Sequence, residues 1–420
     1  MDGSLTLAAP AATGTPAFDP SEMRSAGLRP RLQEWLFDRL PLAYPLLRTA
    51  VRNVRIGRTV IVSRRDDVEA VLDNCEAFHS RSGMRIGQLQ EAAGIAFPPP
   101  VLGLRSDEPG VYDATMRTVA RAIRLDDVGR VAAVVDGFVA PQVAQTGTID
   151  AGPLFLRASA YLARDYFGLR AADSELHELA LCCLSLVAYA FGPDRLDTAT
   201  GRLGVAAAAR ISHTLRRSIA WRGGHSDTVI GRLLADGMTE SEVESMLTVL
   251  MMALVAVPAA ASINVLRLLL QRPEAMRLAR AAAVAGDDTA LGRCMVEALR
   301  LNPGLLGLFR ACHKDTVIGA GSWRSVRARV GDTVLSLTHS AMLDGSRVQA
   351  PRDFDPDRPA ADTLGFGFGR HLCVGFAIGR AQLTHALKPL LCRGVSQTGA
   401  DRAAVSYFGT VPEHFPVRLG

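Results

Sequence analysis

Two residue types are scarce in this 420-residue chain. Lysine occurs only at Lys314 and Lys388, and aromatic side chains make up just 6%. The 47 basic residues are therefore nearly all arginine, and 42 acidic ones reduce them to a net charge of +5. No basic run is interleaved with aromatics. The pI near 9.0 thus reflects compositional bias, and no nucleic-acid partner is expected. Seven cysteines stand at no repeated spacing, which excludes a disulfide framework and a zinc-type CxxC pair and fits a reducing cytoplasm. A cationic leader is missing too. "MDGSLTLAAPAATGTPAF" carries an early aspartate, so residues 1–20 read as a disordered tail rather than a signal peptide.

Apolar residues, in contrast, are abundant at 48%, enough for a large core. From Met246 to Leu266 no residue is charged, which is transmembrane length. That run holds Pro258, Thr248, Ser262 and Asn264, and no second span accompanies it. It reads as a long helix through a soluble core, with no membrane span.

Periodicity places a strand and a short helix in "RTVIVSRRDDVEAVLDNCEAF" and a Gly/Pro-rich lining loop over 82–110. Helices dominate from Tyr112 to about Gly237, then the central helix runs over 242–271 and another passes through "LGRCMVEALRLNP". Residues 305–340 alternate as strands, with a hairpin sheet in "VIGAGSWRSVRARVGDTVLSL". A meander, a helix from Gly375 and a closing strand "HFPVRLG" follow. The fold class is mainly α with a minor β region, in one domain over 21–420.

Before the last helix stands "FGFGRHLCVG", residues 366–375, a glycine-rich loop built around one thiol. A thiolate is a soft-metal ligand whose charge needs stabilising. Gly367 and Gly375 let backbone N–H groups turn toward the sulfur of Cys373, and the following helix adds its N-terminal dipole. Phe366 can keep water off, while Arg370 and His371 offer donors to a carboxylate. These details suit a haem iron held by Cys373, with propionates reaching the basic pair. The bland alternative is a turn around an ordinary buried cysteine.

The loop resembles the ligand loop of the cytochrome P-450 superfamily, Phe-x-x-Gly-x-Arg/His-x-Cys-x-Gly, at every fixed position. The likeness extends from "VIVSRRDDVEAVL" to "FPVRLG" and points to the soluble bacterial type. It implies a P-450 fold with haem b between the central helix and the cysteine loop, and Cys373 as the axial iron ligand. "EALR" matches the family's Glu-x-x-Arg pair as Glu297 and Arg300, with Arg358 of "FDPDRP" completing a buried structural charge cluster. Arg310, Arg117 and His371 become propionate ligands, although Asp113 stands where a histidine is frequent.

The central helix departs from the pattern. Where the family carries Ala-Gly-x-Asp/Glu-Thr, this chain has "ALVAVP", residues 253–258. Ala256 replaces the acid and Val257 the alcohol that normally deliver protons to dioxygen, and Pro258 removes a backbone hydrogen bond and distorts the helix. Three readings stay open. The chain is a monooxygenase of a small lipophilic compound of secondary or lipid metabolism, served by a ferredoxin and its reductase. Alternatively it uses peroxide, as a peroxygenase or a hydroperoxide isomerase or dehydratase. The third reading is a haem binder without catalysis. Substrate contacts are expected from Ile95, Phe97, Leu102, Ala253, Val257, Leu305, Leu306 and Phe408, an almost wholly apolar set.

Overall fold

The computed structural model describes residues 18–24, 29–50, 53–96, 98, 107–108, 110–192, 195–221, 227–398, 407–408 and 411–420. The uncharged run lies inside one continuous rod, Glu240–Gln271. Its start is a capping box: the Thr239 hydroxyl accepts from the Glu242 N–H, and the Glu242 carboxylate accepts from the Thr239 N–H. Pro273 follows its end. The rod has helices Glu240–Met251 and Val257–Gln271, joined by a π turn, Met252–Ala256.

This rod is apolar because other helices surround it. Ala151–Phe167, Leu176–Phe191, Ala199–Ala220 and Phe376–Arg393 bury their apolar faces in the same cluster as Leu247, Val255 and Leu266. A second helix of membrane-crossing length and apolarity also exists, Asp173–Phe191, which the sequence analysis did not foresee. Three-quarters or more of the central stretch is buried inside the protein (78%), so its apolarity is used by the core.

The β part stands apart around its own core of Val60, Val62, Phe78, Cys312 and Val334. Five strands line up in the order Val54–Ile56, Thr59–Val62, Thr333–Ser336, Leu308–Cys312, Phe78–Ser80, and only the second and third run parallel. The hairpin expected within 317–337 is therefore divided. Thr316–Ile318 pairs with Val326–Ala328 alone, and Thr333–Ser336 turns away at Gly331 to join the larger sheet. Residues 82–110 differ as well: Arg81–Ala92 is a helix, burying Ile86 and Leu89, and the irregular part starts only after it. Its glycines, Gly83 and Gly87, lowered the sequence signal, and tertiary burial of the apolar face overrode them.

Candidate functional site: the cysteine loop and its surroundings

The loop 366–375 is held by its own backbone. The Cys373 N–H donates to the Phe366 carbonyl at 2.8 Å, and the His371 N–H to the Phe368 carbonyl at 3.2 Å. Gly367 has a φ of +87°, and a Cβ there would sit 2.1 Å from the His371 carbonyl oxygen, so only glycine closes this turn. The helix Phe376–Arg393 begins three residues past the cysteine. Phe366 meets Phe376 edge-on, with ring centroids 4.7 Å apart. The Cys373 sulfur retains surface open to solvent but lies recessed among protein atoms. Burial pushes its thiol up, and the Gly375 N–H aimed at the sulfur pulls it back. A cation at the sulfur would favour the thiolate further.

Beside the loop lies a basic corner. Arg310, on the strand Leu308–Cys312, is 5% exposed, and its Nε has no hydrogen-bond partner. Burial draws its pKa down; the Asp107 carboxylate nearby opposes this. His371 Nε2 stands 3.4 Å from Asp107 Oδ1, and its ring meets Tyr112 edge-on at 4.8 Å. Asp107 is buried, which by itself raises its pKa. His371, the Ser80 N–H and Arg310 outweigh burial and hold it below the carboxylate range. Tyr112 is pushed up to about 12, chiefly by burial, so its hydroxyl stays a donor. A buried guanidinium whose Nε has no hydrogen-bond partner fits an anionic group. One thiol with an N–H directed at it, next to such a corner, fits a haem with a single sulfur ligand and two carboxylates.

Tyr112 and Asp107 escaped the sequence reading, which had looked one residue later, at Asp113, and one turn on, at Arg117. Asp113 instead forms an ion pair with Arg370, Nη2 to Oδ2 at 2.7 Å, which takes Arg370 out of the set of free donors. Arg117 is exposed on the helix Val111–Ala122. The swapped signs of Asp113 and Arg370 were the available signal.

Glu297, Arg300 and Arg358 are brought together. Arg300 grips Glu297 with two hydrogen bonds, Nε–Oε2 at 2.7 Å and Nη2–Oε1 at 2.8 Å, and also donates to the carbonyls of Met342, Pro351 and Asp353. Arg358 reaches Glu297 at 3.3 Å and ties down the carbonyls of Gln349 and Ala350. Ala350 is the one described non-glycine residue with positive φ, at 41°.

On the π turn the two replaced positions part company. Val257 is 47% exposed and Ala256 is 1% exposed. Ala253, one turn before Val257, is exposed as well, so these two form an open stripe in the middle of the rod. Leu305 is exposed and Leu306 half-buried, whereas Ile95 lies in the core. Phe97 and Leu102 fall outside the described residues, as does the Phe408 side chain. A recess of about 670 Å³ lies elsewhere. It is lined by Arg85, Gln88, Tyr189, Arg195 and Asp197 among others, and these polar groups share nothing with the cysteine loop.

The cytochrome P450 family model matches residues 233–393. Mycinamicin VIII C21 methyl hydroxylase of Micromonospora griseorubida is 30% identical over 213 residues, 50% of this chain and 47% of that protein. The chain's match thus spans about half the length of this curated relative. Ligand-free cytochrome P450 TbtJ1 superposes with a TM-score of 0.73 at 22% identity, covering 91% of this chain and 98% of that one. A mutant of P450 EryK in complex with erythromycin B gives 0.74 at 20%, covering 93% and 97%. These structural likenesses establish the fold. The matched residues 233–393 take in the central rod, the Glu297–Arg300 pair and the cysteine loop, so over this part the chain is similar to the cytochrome P450 family, and it shares the fold of the solved P450 structures.

Proposed function

We propose that this chain is a haem b monooxygenase in which Cys373 is the axial iron ligand. The observation that carries the reading is the loop itself: a glycine-closed turn that presents one recessed sulfur to the Gly375 N–H. Haem ligated through a cysteine sulfur supplies the redox centre for inserting oxygen into a C–H bond. The chain's residues supply the rest. Gly367 and Gly375 shape the sulfur's surroundings and Phe366 shields it. Arg310 and His371 donate to the cofactor's carboxylates, and Arg117 stays in solvent. Glu297, Arg300 and Arg358 brace the segment that leads into the loop. Ala253, Val257, Leu305 and Leu306 offer apolar surface to a lipophilic substrate. The named relatives, a mycinamicin VIII C21 methyl hydroxylase and a P450 solved with erythromycin B, favour a secondary metabolite. Electrons come from a ferredoxin and its reductase in the cytoplasm, and residues 21–420 act as one unit.

One observation favours a peroxide-using variant. Neither Ala256 nor Val257 can move a proton, so the turn itself offers no side-chain donor where dioxygen chemistry needs one. Substrate hydroxyls or ordered water must then serve under the monooxygenase reading.

Two experiments test these proposals. Reduced wild-type protein with carbon monoxide should show the red-shifted Soret band of thiolate ligation. A Cys373→Ala protein that keeps the band would refute the ligand assignment. Product formation driven by NAD(P)H with redox partners, set against peroxide alone, decides the oxidant, and turnover with neither would leave a haem binder without catalysis.

A further inference from the structure

We infer that Gln382 is a positioning residue that sets the π turn of the central rod, and that it does so by replacing the hydrogen bond Pro258 removes. In an α-helix the carbonyl of residue 254 accepts from the N–H of residue 258, and proline has none. The turn adjusts by widening: the Val257 N–H reaches back five residues to the Met252 carbonyl. This leaves the Leu254 carbonyl, whose residue is buried, without an α-type donor. Gln382, on the helix Phe376–Arg393 and 2% exposed, fills the gap. Its Nε2 donates to the Leu254 carbonyl at 3.1 Å and to Ser159 Oγ at 2.9 Å. The orientation of the amide is forced, because a carbonyl only accepts and must face the NH₂ group. The price is visible on its other side, where Oε1 is buried with no partner.

A core glutamine with one unsatisfied oxygen is unfavourable unless its donor does something an apolar residue cannot. Here it fastens the wide turn to two neighbouring helices, Ala151–Phe167 and Phe376–Arg393. The exposed stripe of Ala253 and Val257 brackets this carbonyl in sequence, so the direction in which the stripe faces depends on the Gln382 contact. Gln382 and Pro258 should therefore behave as a pair: once residue 258 regains an N–H, the glutamine is no longer needed.

The test is a double-mutant cycle of Gln382→Leu with Pro258→Ala on the haem-loaded protein, read by melting temperature and by spectral titration with imidazole. Alone, Gln382→Leu should change the imidazole dissociation constant by about tenfold, the effect expected for one hydrogen bond to a buried group. In the Pro258→Ala background the same substitution should change it by less than about twofold, with a matching loss of its effect on melting. Equal effects in both backgrounds, or no effect on imidazole binding in either, would overturn the pairing. If Gln382→Leu gives no folded protein, Gln382→Met takes its place, and recovery of soluble protein on adding Pro258→Ala supports the pairing while failure to recover refutes it. The melting cycle does not depend on haem, so a wild type without a thiolate-type spectrum would sink the cofactor reading and leave this one to be judged by stability.

Discussion

Replacing Arg300 by alanine should strip the cysteine-loop half of its main brace. Arg300 is 1% exposed and Glu297 4%, so neither charge can turn to water. The substitution deletes five hydrogen bonds, two to Glu297 and three to the carbonyls of Met342, Pro351 and Asp353. Glu297 keeps Arg358 at 3.3 Å and the Asp355 N–H at 3.1 Å, which soften the loss without cancelling it. Breaking a buried pair by removing one partner costs about 3–5 kcal/mol. Unfolding entropy for a chain of this length is roughly 0.9 kcal/mol per degree, which makes the melting temperature fall by about 3–6 °C. A loss of that size is a large fraction of the usual 5–15 kcal/mol stability, so haem loading should fall with it. Differential scanning calorimetry on purified protein and the ratio of Soret to protein absorbance measure both effects. Arg300→Lys keeps a charge but not the two-pronged contact, and should lie about midway. Arg300→Ala protein with wild-type melting temperature and full haem content would refute the reasoning.

Three further outcomes are expected. Burial depresses His339 from 6.5 to about 4, with the Leu301 carbonyl opposing and nearby arginines, Arg300 among them, adding to the effect. The unfolded chain then takes up the proton first, so stability is full above about pH 6.5 and declines as pH falls toward 4, by about 3 kcal/mol in all. Urea midpoints at pH 7 and 4.5 should differ less in His339→Gln than in wild type, and equal slopes would contradict this. Val257→Thr, isosteric and at an open position, should stay within about 1 kcal/mol of wild type, whereas Ala256→Asp buries a lone carboxylate and should cost about 3–5 kcal/mol. Denaturant melts of the two single variants decide it, and equal stabilities would be the wrong result. Tyr112→Phe removes the hydroxyl that donates to the Arg370 carbonyl of the cysteine loop and should speed haem transfer to apomyoglobin about fivefold, the factor for one hydrogen bond; an unchanged rate would take Tyr112 out of the cofactor site.

By itself the sequence determined what depends on local pattern. The ten-residue cysteine loop was legible because turns that expose N–H groups need glycine at fixed places, and Gly367 can be nothing else. The Glu297–Arg300 pair was legible because an i, i+3 spacing joins two charges on one helix, and the central rod because twenty-one uncharged residues have few soluble destinations. What only the tertiary structure decided lies between segments far apart in the chain. Two replaced residues, Ala256 and Val257, are adjacent in sequence, yet the π turn buries one and opens the other. Periodicity missed the helix Arg81–Ala92 because its burial comes from other helices and not from its own propensity. Asp113 looked like a defect until Arg370, 257 residues away, was placed against it. The same separation hid Gln382: a hydrogen bond missing at Pro258 is written in the sequence, but the residue that restores it lies on another helix, and packing alone brings the two together.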